Sequence, residues 1–184
     1  MLRKKNRSSA AGFTLIELLI VVAIIAILAS IAVPNFLEAQ VRSRVARAES
    51  DLRTISLGLE SYQIDNVAYP PTPLASLGSR SWRLRRLTTP IAYLNSLPDE
   101  VFSDASDREP YPYWSPGLTD AMKYSLMFYH LPDEKSRRGQ WALFSRGPDM
   151  AYEAAIEEGG SGLLMHYDPT NGTVSSGDIM RFGP

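Results

Sequence analysis

One carboxylate in this chain sits where carboxylates are rare. Glu17 lies inside "AAGFTLIELLIVVAIIAILASIAVP", Ala10 to Pro34, and is the only charge in that stretch. An acid at bilayer depth costs roughly 2.5–3.5 kcal/mol on insertion scales, so a chain that keeps one there needs a partner for it. The other reactive residue types form no catalytic set. His130 and His166 are far apart and show no metal-ligand spacing of the HExxH kind, which leaves packing or solvent-facing strand positions as their expected roles. Ser145 lies in "FSRGPD", which lacks the G-x-S-x-G elbow of a hydrolase nucleophile. No glycine-rich phosphate loop is present. With no cysteine there is no disulfide, thiolate metal site or cysteine nucleophile.

The element that carries Glu17 reads as a membrane helix. Phe13 to Val33 is an apolar run whose only polar members are Thr14, Glu17 and Ser30. As a helix it spans ~32 Å, close to the ~30 Å hydrocarbon core of a bilayer. Arg3, Lys4, Lys5 and Arg7 precede it with no acid among residues 1–12, so the positive-inside rule keeps the N-terminus cytoplasmic. The full chain balances 19 basic against 20 acidic residues. Without the four leading cations the balance is 15 against 20, about −5, which argues against bulk nucleic-acid binding. Three plain readings of the run compete. A signal peptide would have a shorter apolar core and a better cleavage site than "ILASIAVPNF" offers. A simple anchor explains length and flanking charge but not Glu17. A buried core helix does not suit so long an uninterrupted run.

The junction carries more information than the run. A basic leader, then Gly12, then "FTLIE", then a long apolar stretch resembles the type IV pilin and type II secretion pseudopilin superfamily over residues 1–64. The resemblance implies that a prepilin peptidase cuts after Gly12 and methylates the new N-terminus at Phe13. It makes Glu17 the fifth mature residue, where the family keeps a glutamate. In a helical filament the Glu17 carboxylate of one subunit can then pair with the Phe13 amine of a neighbour. Each charge gains a partner in a low-dielectric setting, and the pair fixes the axial register. Ala23, Ala26, Ala29, Ser30 and Ala32 would let helices approach closely. Pro34 removes a backbone donor and is expected to kink or locally melt the helix.

From Asn35 to about Asp65 the pattern becomes amphipathic. Val41, Val45, Ala48, Leu52, Ile55, Leu59 and Tyr62 recur in alternating steps of four and three, which draws one apolar stripe on a helix. The other faces carry Glu38, Arg42, Arg44, Arg47, Glu49, Asp51, Arg53 and Glu60, with Glu49 and Arg53 placed for an i, i+4 pair. The stripe suits a coiled-coil dimer. The family resemblance instead implies that it packs on a C-terminal sheet while the charged faces meet neighbouring subunits. Asn66 can cap the helix, and Pro70, Pro71 and Pro73 forbid its continuation.

Residues 66–118 are rich in proline and turn signals. "SWRLRRLTTPIAYLNSLPDEVF" reads as a short helix or irregular segment with a buried Leu/Ile/Tyr side. Arg80, Arg83, Arg85 and Arg86 form a local basic cluster, read as a solvated or subunit-facing patch rather than a nucleic-acid site. "YPYW" (Tyr111–Trp114), "KYSLMFYHL" (Lys123–Leu131) and "GQWALFSRGPD" (Gly139–Asp149) read as strands. Asn171-Gly172 signals a hairpin turn.

The order of these weaker motifs is similar to that of major pseudopilins of type II secretion, which carry "LPxDPWG", a Tyr-x-Tyr strand, "SxGPDG" and a late "DDI". Glu100 and Val101 replace the Pro-Trp of the first motif, Met150 replaces the glycine after Asp149, and residues 150–177 run long. In those proteins a calcium ion staples the loop between the last strands. The resemblance places Ser145, Asp149 and Asp178 at the corresponding positions, with backbone carbonyls adding to the six to eight oxygens that calcium takes. Ordinary turn chemistry is the alternative use of the same residues.

The expected architecture is α+β and pilin-like, a long N-terminal helix on a small antiparallel sheet. Residues 1–12 are a cleaved leader, 13–34 a transmembrane and polymerisation helix, 35–65 an amphipathic helix and 66–184 a periplasmic globular part. The expected function is a non-enzymatic subunit of a periplasmic pseudopilus that drives type II secretion. The expected partners are copies of itself, the prepilin peptidase, the secretion or pilus machinery with its minor pseudopilins, and the inner membrane. The alternatives are a type IV pilus subunit for adhesion, motility or DNA uptake, and a single-span membrane protein whose periplasmic domain binds a partner without polymerising.

Overall fold

The structure is a computed structural model and describes residues 12–71, 83–103, 109–115, 140–151, 166–170 and 177–184. Residues 1–11, the strand expected at 123–131, His130, Arg80 and the Asn171-Gly172 turn lie outside the described residues. The chain divides into two units, 1–39 and 40–184. One helix, α1 (Leu15–Asn66), enters both.

In the first unit the large apolar side chains of α1, from Leu15 to Leu37, are all exposed, and the helix is long and apolar enough to cross a membrane. The helix is not melted at Pro34: α1 runs through it without interruption. The proline deprives the Ser30 carbonyl of its i+4 donor, and the bonds on either side keep the turn.

In the second unit the expected stripe is the buried face. Val45, Ala48, Leu52, Ile55, Leu59 and Tyr62 are buried, with Val41 half-buried beside them. They meet Leu84, Leu87, Phe102, Tyr111, Tyr113, Trp141, Leu143 and Ile179 in one core. Burying each Leu or Ile contributes roughly 1.5–3 kcal/mol, so this stripe, more than helix propensity, holds the unit together. The expected Glu49–Arg53 pair is not formed; Arg47 and Asp51 approach at 3.8 Å instead.

Among the described residues the sheet has three antiparallel strands in the order β1 (Tyr113–Trp114), β2 (Ala142–Ser145), β3 (Ile179–Phe182). Tyr113 pairs with Leu143, Leu143 with Arg181, and Ser145 with Ile179. All four residues of β2 are buried, as befits a central strand covered on both faces. Leu143 turns toward α1, while Ala142 and Phe144 turn the other way to meet Trp114, Met180 and Phe182. Among the described residues beside the expected hairpin, His166 and Asp178 form one isolated parallel bridge.

The segment after Pro73 departs from its expected reading at Ile91 and in its arginines. Among its described residues Arg83 and Leu84 are helical and a 3₁₀ turn, Arg85–Leu87, follows, with Leu84 and Leu87 buried but Ile91 exposed. The basic cluster is also dispersed. Arg83 is buried, donates through Nη1 to the Tyr113 carbonyl at 3.2 Å and lies 4.3 Å from the Trp114 ring centroid. Arg86 reaches the Tyr62 hydroxyl at 3.3 Å, and Arg85 is exposed. A guanidinium stacked on indole and bonded to a carbonyl can be buried where a free charge cannot.

Candidate assembly site

The start of α1 is closed by its own side chains. Thr14 is the residue before the first helical turn, and Glu17 is the third residue of the helix. The Glu17 Oε2 accepts the Thr14 backbone N–H at 2.9 Å and the Thr14 hydroxyl at 2.6 Å. In return the Glu17 N–H donates to Thr14 Oγ1 at 3.3 Å. This is the capping box, a Thr-x-x-Glu arrangement in which cap and acid satisfy each other's backbone donors. The acid also sits at the positive end of the helix dipole. Glu17 therefore has local partners within one subunit, a signal present in "TLIE" that the register argument alone does not use. Ser30 donates to the Ile27 carbonyl at 2.7 Å, so each polar side chain of the apolar run is satisfied within the helix. Gly12 and Phe13 precede the helix in exposed, non-helical backbone.

The globular part is tied to α1 by acids whose partners come from far along the chain. Glu60 accepts Trp141 Nε1 at 3.2 Å on one oxygen and the Tyr69 hydroxyl at 2.9 Å on the other. Asp51 accepts the Tyr111 hydroxyl at 3.0 Å, and Asp65 the Tyr93 hydroxyl at 2.9 Å. Asp51 and Glu60, expected on faces turned to neighbouring subunits, are thus engaged inside the chain. Burial, with the Asp51 and Glu100 carboxylates nearby, pushes the Tyr111 hydroxyl far above its ordinary ionisation range. Burial does the same to Tyr113.

Of the three residues expected to hold calcium, Ser145 and Asp178 are buried and Asp149 is exposed. Ser145 and Asp178 are both fully buried at the same end of the sheet. Ser145 shares the α1 side with Leu143 and Ile179, whereas Asp178, two residues before Met180, falls on the opposite side by strand alternation. Asp149 is exposed, and its Oδ1 accepts the Ala151 N–H at 3.1 Å, the turn chemistry that competes with ligation. The backbone is close at this junction. Gly147 and Gly177 have φ of 70° and 128°, and a Cβ on Gly147 would stand 2.5 Å from the Gly177 carbonyl oxygen. His166 is exposed and stacks edge-on against Phe182 at 6.1 Å, the solvent-facing role expected of it.

An exposed apolar helix opening on a capped glutamate, and continuing into a stripe packed on a small sheet, defines a pilin-like protein. The family model described as the prokaryotic N-terminal methylation motif matches residues 7–33. The chain is 31% identical to the type II secretion system core protein G of Pseudomonas aeruginosa over 122 residues, 61% of this chain and 78% of that one. It is 32% identical to the same protein of Aeromonas hydrophila over 124 residues, 62% of this chain and 78% of that one. The type IV wide pilus major component PilA4 of Thermus thermophilus is 48% identical over 75 residues, 40% of this chain and 57% of that one. No solved structure matches the chain. The chain belongs to the family of type II secretion system core protein G.

Proposed function

We propose that this chain is the structural subunit of a periplasmic pseudopilus, cut after Gly12, methylated at Phe13, and polymerised through the apolar part of α1. The observation that carries the reading is the capped Glu17 one turn from the exposed Gly12–Phe13 bond, at the start of a helix whose apolar side chains have no cover of their own. Cutting that bond creates an amine at Phe13. In the filament a neighbour's amine takes over from Thr14 as the partner of Glu17. Before assembly the capping box keeps the acid satisfied in lipid, so the subunit can wait in the membrane as a single span with its N-terminus cytoplasmic. The machinery that adds subunits, and the minor subunits at the tip, would complete the partner set.

The test is Glu17→Ala in the native host. The variant is expected to be processed to a chain starting at methylated Phe13, by intact mass, and to remain in the membrane without forming filaments. Wild-type filament yield from this variant would overturn the assembly role. An intact Met1 on the wild-type chain would overturn the processing step. A second reading, a surface type IV pilus subunit, is favoured by the 48% identity to the Thermus thermophilus pilus component over 75 residues. Loss of exported proteins on deletion of the gene, with no loss of surface fibres, separates the first from the second.

A further inference from the structure

The foot of the amphipathic half of α1 carries three arginines close together in sequence. Arg42, Arg44 and Arg47 are exposed, and Glu38 is the one acid among residues 35–48. Arg47 approaches Asp51 at 3.8 Å with its side chain 72% exposed. Such an exposed pair contributes little and leaves the charge open to other partners. The chain beyond has the opposite sign: residues 48–184 hold 12 basic against 18 acidic residues, about −6. The basic foot is therefore a local feature and not a general property of the surface.

Its place along the helix points to a partner. Leu37 is the last exposed large apolar residue of α1 before these cations. Arg42, Arg44 and Arg47 follow it by five, seven and ten residues, which is ~8–15 Å of helix. The headgroup layer of a bilayer adds roughly 5–8 Å beyond each face of its hydrocarbon core. Helical side chains lean toward the helix N-terminus, here the apolar side, so the long arginine stems lean back toward that layer. Steps of ~100° per residue put Arg42 on the side of the helix opposite Arg44 and Arg47. A flat partner meets one face of a helix, whereas lipid headgroups surround it. Arginines on the exported flank also run against the positive-inside bias, with the leader cations as their counterweight.

We propose that Arg42, Arg44 and Arg47 form a collar that binds the phosphate groups of anionic phospholipids on the exported face of the membrane. The collar fixes the depth of α1. It also holds the subunit in the bilayer once the cut after Gly12 has removed the leader cations. The inference rests on the single-span reading given above, and it deepens that reading by naming the lipid that the waiting subunit binds.

Full-length protein in a non-ionic detergent is titrated with short-chain phosphatidylglycerol and, separately, with phosphatidylcholine of the same chains, and retained lipid is counted by native mass spectrometry. The wild type is expected to prefer phosphatidylglycerol, less so as salt is raised. The variant carrying Arg42→Gln, Arg44→Gln and Arg47→Gln is expected to lose about tenfold of that preference, while Arg53→Gln keeps it. The leader cations are common to all these proteins, so their share cancels. Equal affinity of the wild type for the two lipids overturns the collar. So does a triple variant that keeps the wild-type preference, and if its self-association is weakened the arginines belong to a neighbouring subunit. Full competition by millimolar sodium phosphate overturns the lipid and leaves a free-anion site. The single-span reading is tested apart from this, by protease digestion of intact spheroplasts: a globular part that stays protected overturns that reading and leaves the lipid titration as it stands.

Discussion

Thr14 and Glu17 hold each other at the mouth of α1, the threonine donating twice to one carboxylate oxygen and accepting the glutamate N–H in return. The arrangement explains how a subunit tolerates this acid before it has a neighbour. Thr14→Val keeps the shape and removes the hydroxyl that makes the 2.6 Å bond. The change should cost about 1 kcal/mol of local helix stability. Amide exchange at Leu15 to Leu18 should quicken by about fivefold, while the exchange of Leu52 to Leu59 stays as it was.

Glu60 is the acid on which the globular part leans most. Removing it in Glu60→Ala takes the carboxylate acceptor from the Trp141 indole, in a residue only 2% exposed, and from the Tyr69 hydroxyl. The expected loss is about 2–3 kcal/mol, read as a lower urea midpoint at unchanged slope. Glu60→Gln keeps one acceptor oxygen and should lose less. Equal losses in both variants would mean that the charge, and not the acceptor, is what counts.

Alkali should loosen the fold through its buried tyrosines. Tyr111 and Tyr113 are held neutral in the folded chain, above the ordinary value near 10. Their contribution to stability is therefore whole below about pH 10 and falls away as pH rises beyond it, because the unfolded chain gives up these protons first. Unfolding midpoints taken across that range should drop. Tyr111→Phe should lose about 1 kcal/mol at neutral pH and show a shallower alkaline decline.

Two apolar residues occupy left-handed backbone that suits glycine. Val67, 86% exposed, has φ of 58°, and Met150, 43% exposed, has φ of 61°. Such a conformation costs an L-residue roughly 1–2 kcal/mol. Val67→Gly and Met150→Gly should each raise the stability of the fold by about 0.5–1 kcal/mol despite the greater freedom of glycine in the unfolded chain. A lower melting temperature for either variant would show that its side chain makes a contact that outweighs the strain. Met150 also accounts for a departure from the related "SxGPDG" motif: the glycine has been replaced, but its backbone conformation remains.

What the sequence determined by itself is what depends on near neighbours. The apolar run, the basic leader and the Gly-Phe-x-x-x-Glu junction are contiguous, and the stripe from Val45 to Tyr62 follows from the 3.6-residue period of one helix. The capping box was legible too, since Thr14 and Glu17 are three residues apart. What only the tertiary structure decided is which distant residue each polar group meets. Asp51 and Tyr111 are 60 residues apart, Glu60 and Trp141 are 81 apart, and Ser56 and Arg181 are 125 apart. Arg83 looked like one member of a surface cluster until Trp114 and the Tyr113 carbonyl gave it an interior place. Ser145 and Asp178, far apart in sequence, are likewise brought to the same end of the sheet and buried there only by the fold. Local order is fixed by backbone geometry that repeats along the chain, whereas partner choice depends on how segments far apart in sequence pack together, and no local pattern records that.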